Sequence, residues 1–276
     1  MWSNHLKDKE VNYTRSVIDK LNIIPWARPI INSFNDGGGY ISENMPIMFE
    51  LRFAYELYKA GFSAQYEYNA NQGNSTIDFK IETKNINWLI ELVSIRTSNA
   101  AKRAIKKVGE NEYQQILSSE QLDKQTEEDE MITAIQKIGE KVYQKNKGVI
   151  KFPLTQPNIY QMIFVDARGY LDNGGDRYDY MQMSWGKNGI PPECIHYSRT
   201  KEGTMEYIKG IFEVSCPIDS SKYVRERIHY LGFVCEDKFT ASEIKESAFY
   251  FYNHKLLSAE DAKIAFESFP LKKKNV

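Results

Sequence analysis

Residues 75–95 read STIDFKIETKNINWLIELVSI. Ile77, Phe79 and Ile81 alternate with polar residues on the first segment, and Trp88, Ile90 and Leu92 alternate on the second. This is the period of a β-strand, whose successive side chains point to opposite faces. The intervening TKNI leaves room for a tight turn at Lys84-Asn85, so the two segments are predicted to pair as an antiparallel hairpin. That register sets Ile81 opposite Trp88 and Phe79 opposite Ile90, joining the two apolar faces into one. It also sets Asp78 opposite Glu91.

Directly opposed strand residues hold their Cβ atoms about 4.5–5.5 Å apart, and like charges there are destabilising. A chain that keeps Asp78 across from Glu91 must neutralise the pair with a cation, a proton or a nearby base. Lys80 lies on the same face, diagonal to Glu91. Asp78, Lys80 and Glu91 are therefore a candidate site: two carboxylates to hold a hard divalent ion, and an ammonium to steady developing negative charge. The competing structural reading is an exposed sheet face carrying an Asp–Lys–Glu salt-bridge set.

Outward from the hairpin, residues 1–24 have apolar Val11, Val17, Ile18, Leu21 and Ile24 near helical spacing, and Pro25 and Pro29 stop that helix. NDGGG at 35–39 reads as a loop. A second helix follows, with Ser42 as cap, Pro46 in its first turn and Gly61 at its end. SAQYEYNA, ahead of the hairpin, reads as a further strand. A basic helix is predicted to begin near Thr97 or Ser98, and a charged helix to span about 126–146. NIYQMIFVDA at 158–167 is a strongly apolar strand. Beyond it come the Gly-rich loop DNGGD, a helix near 203–212, a strand at 229–236, a short helix from Thr240, a strand at 248–254 and a terminal helix from Ser258. Strands and helices alternate without strict βαβ order, which predicts a single mixed α/β domain over 1–276.

The 276 residues are 42% hydrophobic and 13% aromatic, enough to build a core and to exclude disorder over most of the chain. No apolar run reaches the eighteen or so residues of a membrane span. The charged start MWSNHLKDKE lacks the apolar centre of a signal peptide, so a cytoplasmic protein is expected. Cys194, Cys216 and Cys235 are scattered and form no CxxC pair, and with only four histidines the common zinc spacings are excluded. Charge is balanced, 36 Lys+Arg against 37 Asp+Glu, so nucleic-acid binding would have to rest on a local patch. The richest is Arg96–Lys107, RTSNAAKRAIKK, with no acidic residue.

A helix, a strand, then a hairpin carrying Asp and Glu, then a helix, resembles the PD-(D/E)xK nuclease superfamily over about residues 43–110, with the strand at 158–167 as a further core strand. The resemblance implies an α/β, restriction-endonuclease-like fold with a mixed central sheet flanked by helices, its core about 43–167, and residues 168–276 available for target recognition. Glu50 in FELRFAYEL matches the helix Glu, Asp78 in STIDFKIE the Asp, and Glu91 in WLIELVSI the acidic residue of (D/E)xK. The motif Lys position holds Val93. Lys80 is the first substitute, with Lys102 and Gln136-Lys137 as others, and Glu56 is an alternative to Glu50.

The activity so implied is Mg²⁺-dependent hydrolysis of DNA phosphodiester bonds, of restriction or phage-defence type, with Mn²⁺ able to substitute. Asp78, Glu91, the Leu92 carbonyl and Glu50 would serve the metal, and Lys80 the nucleophile or the phosphate. Arg96, Lys102, Arg103, Lys106 and Lys107 would meet the DNA backbone, giving salt-dependent affinity. Duplex cutting by a chain with one site points to a homodimer. The alternative is a non-catalytic module on the same fold that binds nucleic acid or a protein. Three further signals read as structural: a turn at Asp166-Ala-Arg168-Gly169, core packing for the aromatic run Phe249–Tyr252, and a loop at DNGGD, which is no EF-hand because Gly174 and Gly175 stand where oxygen ligands are needed.

Overall fold

The computed structural model describes residues 8–70, 72, 75–96, 105–107, 113–115, 127–171, 174–200, 203–236 and 239–272. Helices α1 (Asp8–Leu21), α2 (Arg28–Asp36) and α3 (Met45–Lys59) precede strands β1 (Ala64–Tyr68), β2 (Ile77–Glu82) and β3 (Asn87–Ser94). Short strands β4 (Ile105–Lys107) and β5 (Tyr113–Gln115) pair with each other, and helix α4 (Glu127–Glu140) leads into a small hairpin of β6 (Tyr143–Gln144) and β7 (Val149–Ile150). Then come β8 (Ile159–Asp166), α5 (Arg177–Trp185), the hairpin β9 (Tyr197–Arg199) and β10 (Met205–Tyr207), and α6 (Ser221–Arg227). The described chain closes with β11 (Tyr230–Val234), α7 (Ile244–Ser247), β12 (Ala248–Tyr252) and α8 (Ala259–Phe266).

The central sheet has six strands in the order β1-β2-β3-β8-β11-β12. Its inner strands β3, β8 and β11 run parallel, and antiparallel partners close each edge. Helices cover both faces, which parallel strands require because each of their faces is buried. One face packs Phe79, Ile81, Trp88, Ile90, Leu92 and Phe164 against α1, α2, α3 and α8. The other packs Leu89, Val93, Ile163 and Val165 against Met131, Ile135 and Ile138 of α4, Tyr180 and Met183 of α5 and Val224 of α6. The architecture is mixed α/β, and β11 and β12 place the C-terminal segment in the same sheet as the hairpin. Among the described residues, no helix is long and apolar enough to cross a membrane.

The hairpin takes the predicted register: Ile81 faces Trp88, Phe79 faces Ile90 and Glu82 faces Asn87, with Thr83 N–H donating to the Ile86 carbonyl at 2.9 Å across the turn. Elsewhere the structure differs from the sequence reading. Pro29 does not end a helix; it sits in the first turn of α2, where its missing N–H costs nothing. Ser42 belongs to a short 3₁₀ turn and bonds Glu43 instead of capping α3. The basic segment predicted as a helix is a strand where it is described, Ile105–Lys107, and residues 97–104, with Lys102 and Arg103, lie outside the described residues.

The charged helix stops at Glu140 instead of continuing to 146, and the chain reverses at Gly148, whose φ of +63° is left-handed. Beta-branched and aromatic residues (Val142, Tyr143, Val149, Ile150) flank that reversal and favour a hairpin. Likewise the helix expected near 203–212 gives way to β10. Gly203, at φ +85°, turns the chain so that Thr200 N–H reaches the Thr204 carbonyl at 2.8 Å.

Candidate active site

The regular pairing of β2 with β3 ends at Phe79–Ile90. One residue further on, the Leu92 N–H donates to the Asp78 carboxylate (Oδ2) at 2.7 Å instead of to a backbone carbonyl. The in-and-out alternation also slips at this level. Phe79 and Ile81 belong to the α3 side of the core, yet Ile77 packs on the α4 side; on β1, Tyr66 lies on the α3 side and Tyr68 on the other. Glu67, between those two tyrosines, has φ +51°, a left-handed conformation that costs a non-glycine residue about 1–3 kcal/mol. The strands are thus distorted around Asp78, and its carboxylate satisfies the backbone donor that the distortion exposes.

Three carboxylates meet there from three elements. Glu50 comes from α3, where the Tyr66 hydroxyl donates to it at 2.7 Å. Asp78 comes from β2, and Glu91 from β3, its side chain wholly buried. Burial, then the charges of Glu91 and Glu50, push the Asp78 pKa well above the usual carboxylate range. Burial also raises Glu50, against the opposing effects of the Tyr66 hydrogen bond and the Lys141 charge.

Two ammonium groups answer these charges. Lys151 Nζ lies 2.6 Å from Glu91 Oε1, and Lys141 Nζ lies 3.0 Å from the same oxygen. Both flank the β6–β7 hairpin, and the Lys151 N–H bonds the Val142 carbonyl at 2.9 Å across its base. Burial opposes the Lys141 ammonium, but Glu91, Asp78 and Glu50 together hold its pKa above the ordinary lysine value. Lys141 therefore stays charged at neutral pH. Its side chain is 35% exposed, against 10% for Lys151, so Lys141 is the one open to an incoming group.

Glu91 Oε2 is buried and has no hydrogen-bond partner among the described residues. A buried carboxylate oxygen left without a donor is costly. Among the described residues, three carboxylates face two ammoniums, one positive charge short. Among the described residues no three His, Cys, Asp or Glu side chains form a metal-binding group by themselves. Mg²⁺, however, is commonly held by only one or two carboxylates with waters completing its shell. Asp78 and Glu91 with the Leu92 carbonyl fit such a donor set, because a strand residue directs its N–H and C=O to the same neighbour and the Leu92 N–H points to Asp78.

The other sequence-predicted residues fall as follows. Lys80 pairs with Glu82 at 2.6 Å and lies over the Tyr68 ring at 4.9 Å; the ammoniums on Glu91 are Lys141 and Lys151. Gln136 is exposed and bonds Glu140, while Lys137 is half-buried one turn before Lys141. Val93 lies in the apolar core under α4. Arg96 Nη2 donates to the Glu43 carbonyl at 2.7 Å, and Lys106 and Lys107 lie on β4. Lys141 and Lys151 escape the sequence reading because they are 50 and 60 residues beyond Glu91.

Glu56 turns away from this cluster. Both its oxygens accept the Ile244 N–H, at 2.7 and 2.8 Å, and burial pushes its pKa up to about 7. It belongs to a buried ionic network at the carboxyl ends of the parallel strands. There Arg52 forks onto Glu236 at 2.8 and 3.0 Å, and Arg168 bonds both oxygens of Asp166 and also Glu10, each at 2.8 Å. These bonds tie α1, α3, β8 and β11 together, a structural role for the Asp166–Arg168 turn. Compared with known proteins, the chain matches no family model, no curated protein and no solved structure.

Proposed function

We propose that the chain is a metal-dependent endonuclease that hydrolyses DNA phosphodiester bonds on a restriction-endonuclease-like fold. The observation that carries the reading is the meeting of Glu50, Asp78 and Glu91 at a distorted strand pair with the Lys141 ammonium beside them. The fold class supports it, as does the order of elements: a helix supplying Glu50, a strand, then the Asp78–Glu91 hairpin.

Asp78, Glu91 and the Leu92 carbonyl would hold Mg²⁺, or Mn²⁺ in its place, and Glu50 would orient water. When bound, such an ion lowers the pKa of its water and neutralises charge on the phosphoryl group. The chain's own contribution is electrostatic and positional. Lys141, charged and part-exposed, would stabilise the negative charge that builds on the phosphate. Lys151 is a positioning residue that fixes the Glu91 rotamer, and the Tyr66 hydroxyl does the same for Glu50. Lys80 remains a candidate phosphate contact on the same strand. Arg96, Lys106 and Lys107, with Lys102 and Arg103, would contact the DNA backbone. With one such site per chain, cutting both strands calls for a homodimer.

Plasmid incubation with Mg²⁺ or EDTA tests the reading. Cleavage should require Mg²⁺ and should be lost in Asp78→Asn. Lys141→Ala should slow it by about 10²–10³, the effect of removing one transition-state charge stabiliser. Full activity in Asp78→Asn, or equal activity in EDTA, refutes the assignment.

A further inference from the structure

Beside the lysine-bearing hairpin, a cleft of about 340 Å³ opens between β6 and the segment leading into α6. Lys145, Lys222 and Arg225 line it against one acid among the described residues, Asp219. The acid is not a fixed partner. Lys145 pairs with Asp219 at 2.6 Å, but both side chains are about 70% exposed, and exposed pairs of this kind are weak enough for an incoming anion to displace. Arg225 spends Nη1 on the Glu213 carbonyl and the Ser221 hydroxyl, both at 2.8 Å. The rest of its guanidinium has no protein partner among the described residues.

The cleft also holds an aromatic pair. Tyr143 and Tyr223 stack with ring centroids 4.3 Å apart and planes 29° from parallel. Lys222 lies 4.7 Å from the Tyr223 centroid and Arg227 5.5 Å. Both rings are only half-buried. Cations alternating with flat rings suit a polymer that alternates phosphates with flat bases, and base–aromatic stacking tolerates any base. An acidic peptide would use the cations and leave the rings without a role.

The chain joins this cleft to the carboxylates. Tyr143, the first residue of β6, follows Lys141 by two residues across the turn that ends α4, and two residues of chain span at most about 7 Å. From these observations we infer that the cleft formed by Tyr143, Lys145, Lys222, Tyr223 and Arg225 is a subsite for an unpaired stretch of nucleic-acid strand, stacking a base and gripping its phosphates a few nucleotides from the Glu91 site. The inference rests on the reading of that site as phosphodiester-cleaving, which makes the ligand a continuous strand crossing both.

The test is fluorescence anisotropy of a labelled oligodeoxythymidine in EDTA, where no metal-dependent cleavage can interfere. Wild-type protein should bind it, more weakly as salt is raised. Tyr143→Ala, outside the apolar core, should weaken binding by about 5- to 150-fold, the range for losing one stacked base. Lys222→Glu should weaken it at least as much. Lys263→Glu, an exposed charge reversal of the same size on α8, should change it less than about twofold. Absence of wild-type binding, unchanged binding in Tyr143→Ala and Lys222→Glu, or equal loss in Lys263→Glu each overturns the subsite. Failure of the nuclease reading looks different: plasmid stays intact in Mg²⁺ while the cleft variants still lose the oligonucleotide.

Discussion

Glu91→Gln separates a charge-holding site from an incidental surface salt bridge. The substitution keeps the shape and removes the anion on which two ammoniums converge, at 2.6 and 3.0 Å on one fully buried oxygen. Lys151, 10% exposed, has little water to fall back on, whereas Lys141 retains Asp78 and Glu50 nearby. Breaking a buried pair by removing one partner costs about 3–5 kcal/mol. For a chain of this size each kcal/mol lowers the melting temperature by about 2–4 °C, so the expected fall is about 6–20 °C. Differential scanning calorimetry without added metal reads it directly.

Adding Lys151→Met to Glu91→Gln removes the stranded charge and should recover part of the loss, with a coupling of about 0.5–3 kcal/mol between the sites. The neighbouring carboxylate should behave in the opposite sense. Asp78 faces Glu50 and Glu91, and an Asn oxygen can still accept the Leu92 N–H, so Asp78→Asn should leave stability unchanged or raise it. A Glu91→Gln variant within about 0.5 kcal/mol of wild type, the range of an ordinary surface change, would refute the account of Glu91. An Asp78→Asn variant as damaged as Glu91→Gln would refute the claim that the site is short of positive charge.

Two further outcomes follow from buried groups away from the site. His229 accepts the Gln161 N–H on Nδ1 at 3.1 Å, which only the unprotonated nitrogen can do, and burial pushes its pKa down to about 4. With an unfolded value near 6.5, the unfolded chain binds more protons between those limits. The His229 contribution is therefore complete above about pH 6.5 and lost as pH falls towards 4; an NMR titration midpoint near 6.5 in the folded protein would contradict this. Arg168→Lys should destabilise by about 3–5 kcal/mol in urea unfolding, because one ammonium cannot replace a fork bonding Asp166 twice and Glu10 once; a loss under about 1 kcal/mol would argue that the network is not holding α1 to the sheet.

The hairpin was legible because its information is local. A two-residue turn fixes the register, and apolar alternation on both arms permits only one alignment, so the approach of Asp78 to Glu91 could be read from 21 consecutive residues. The strands at 158–167 and 229–236 announced themselves as apolar runs for the same reason, being buried on both faces. Helix α2 was hidden because Pro29, which breaks a helix interior, is equally suited to a first turn, and the sequence does not distinguish the two. The end of α4 was hidden because its charged periodicity runs on past Glu140, and only pairing with β7 turns the next residues into a strand.

Position 93 shows why the site's ammoniums lay outside any local reading. Val93 shares a strand face with Glu91, and on that face it packs with Leu89, Ile163 and Val165 beneath α4. A lysine there would carry its stem into an apolar layer and its charge toward a helix that offers Met131, Ile135 and Ile138. Burying a lone ammonium in such surroundings drives it to lose its proton, and a neutral amine cannot balance Glu91. The ammonium must instead enter from the rim, where its head can reach the carboxylates while part of it stays in water. The end of α4 and the β6–β7 hairpin supply that rim, so the valine at position 93 and the late, non-local Lys141 and Lys151 are two sides of one packing constraint.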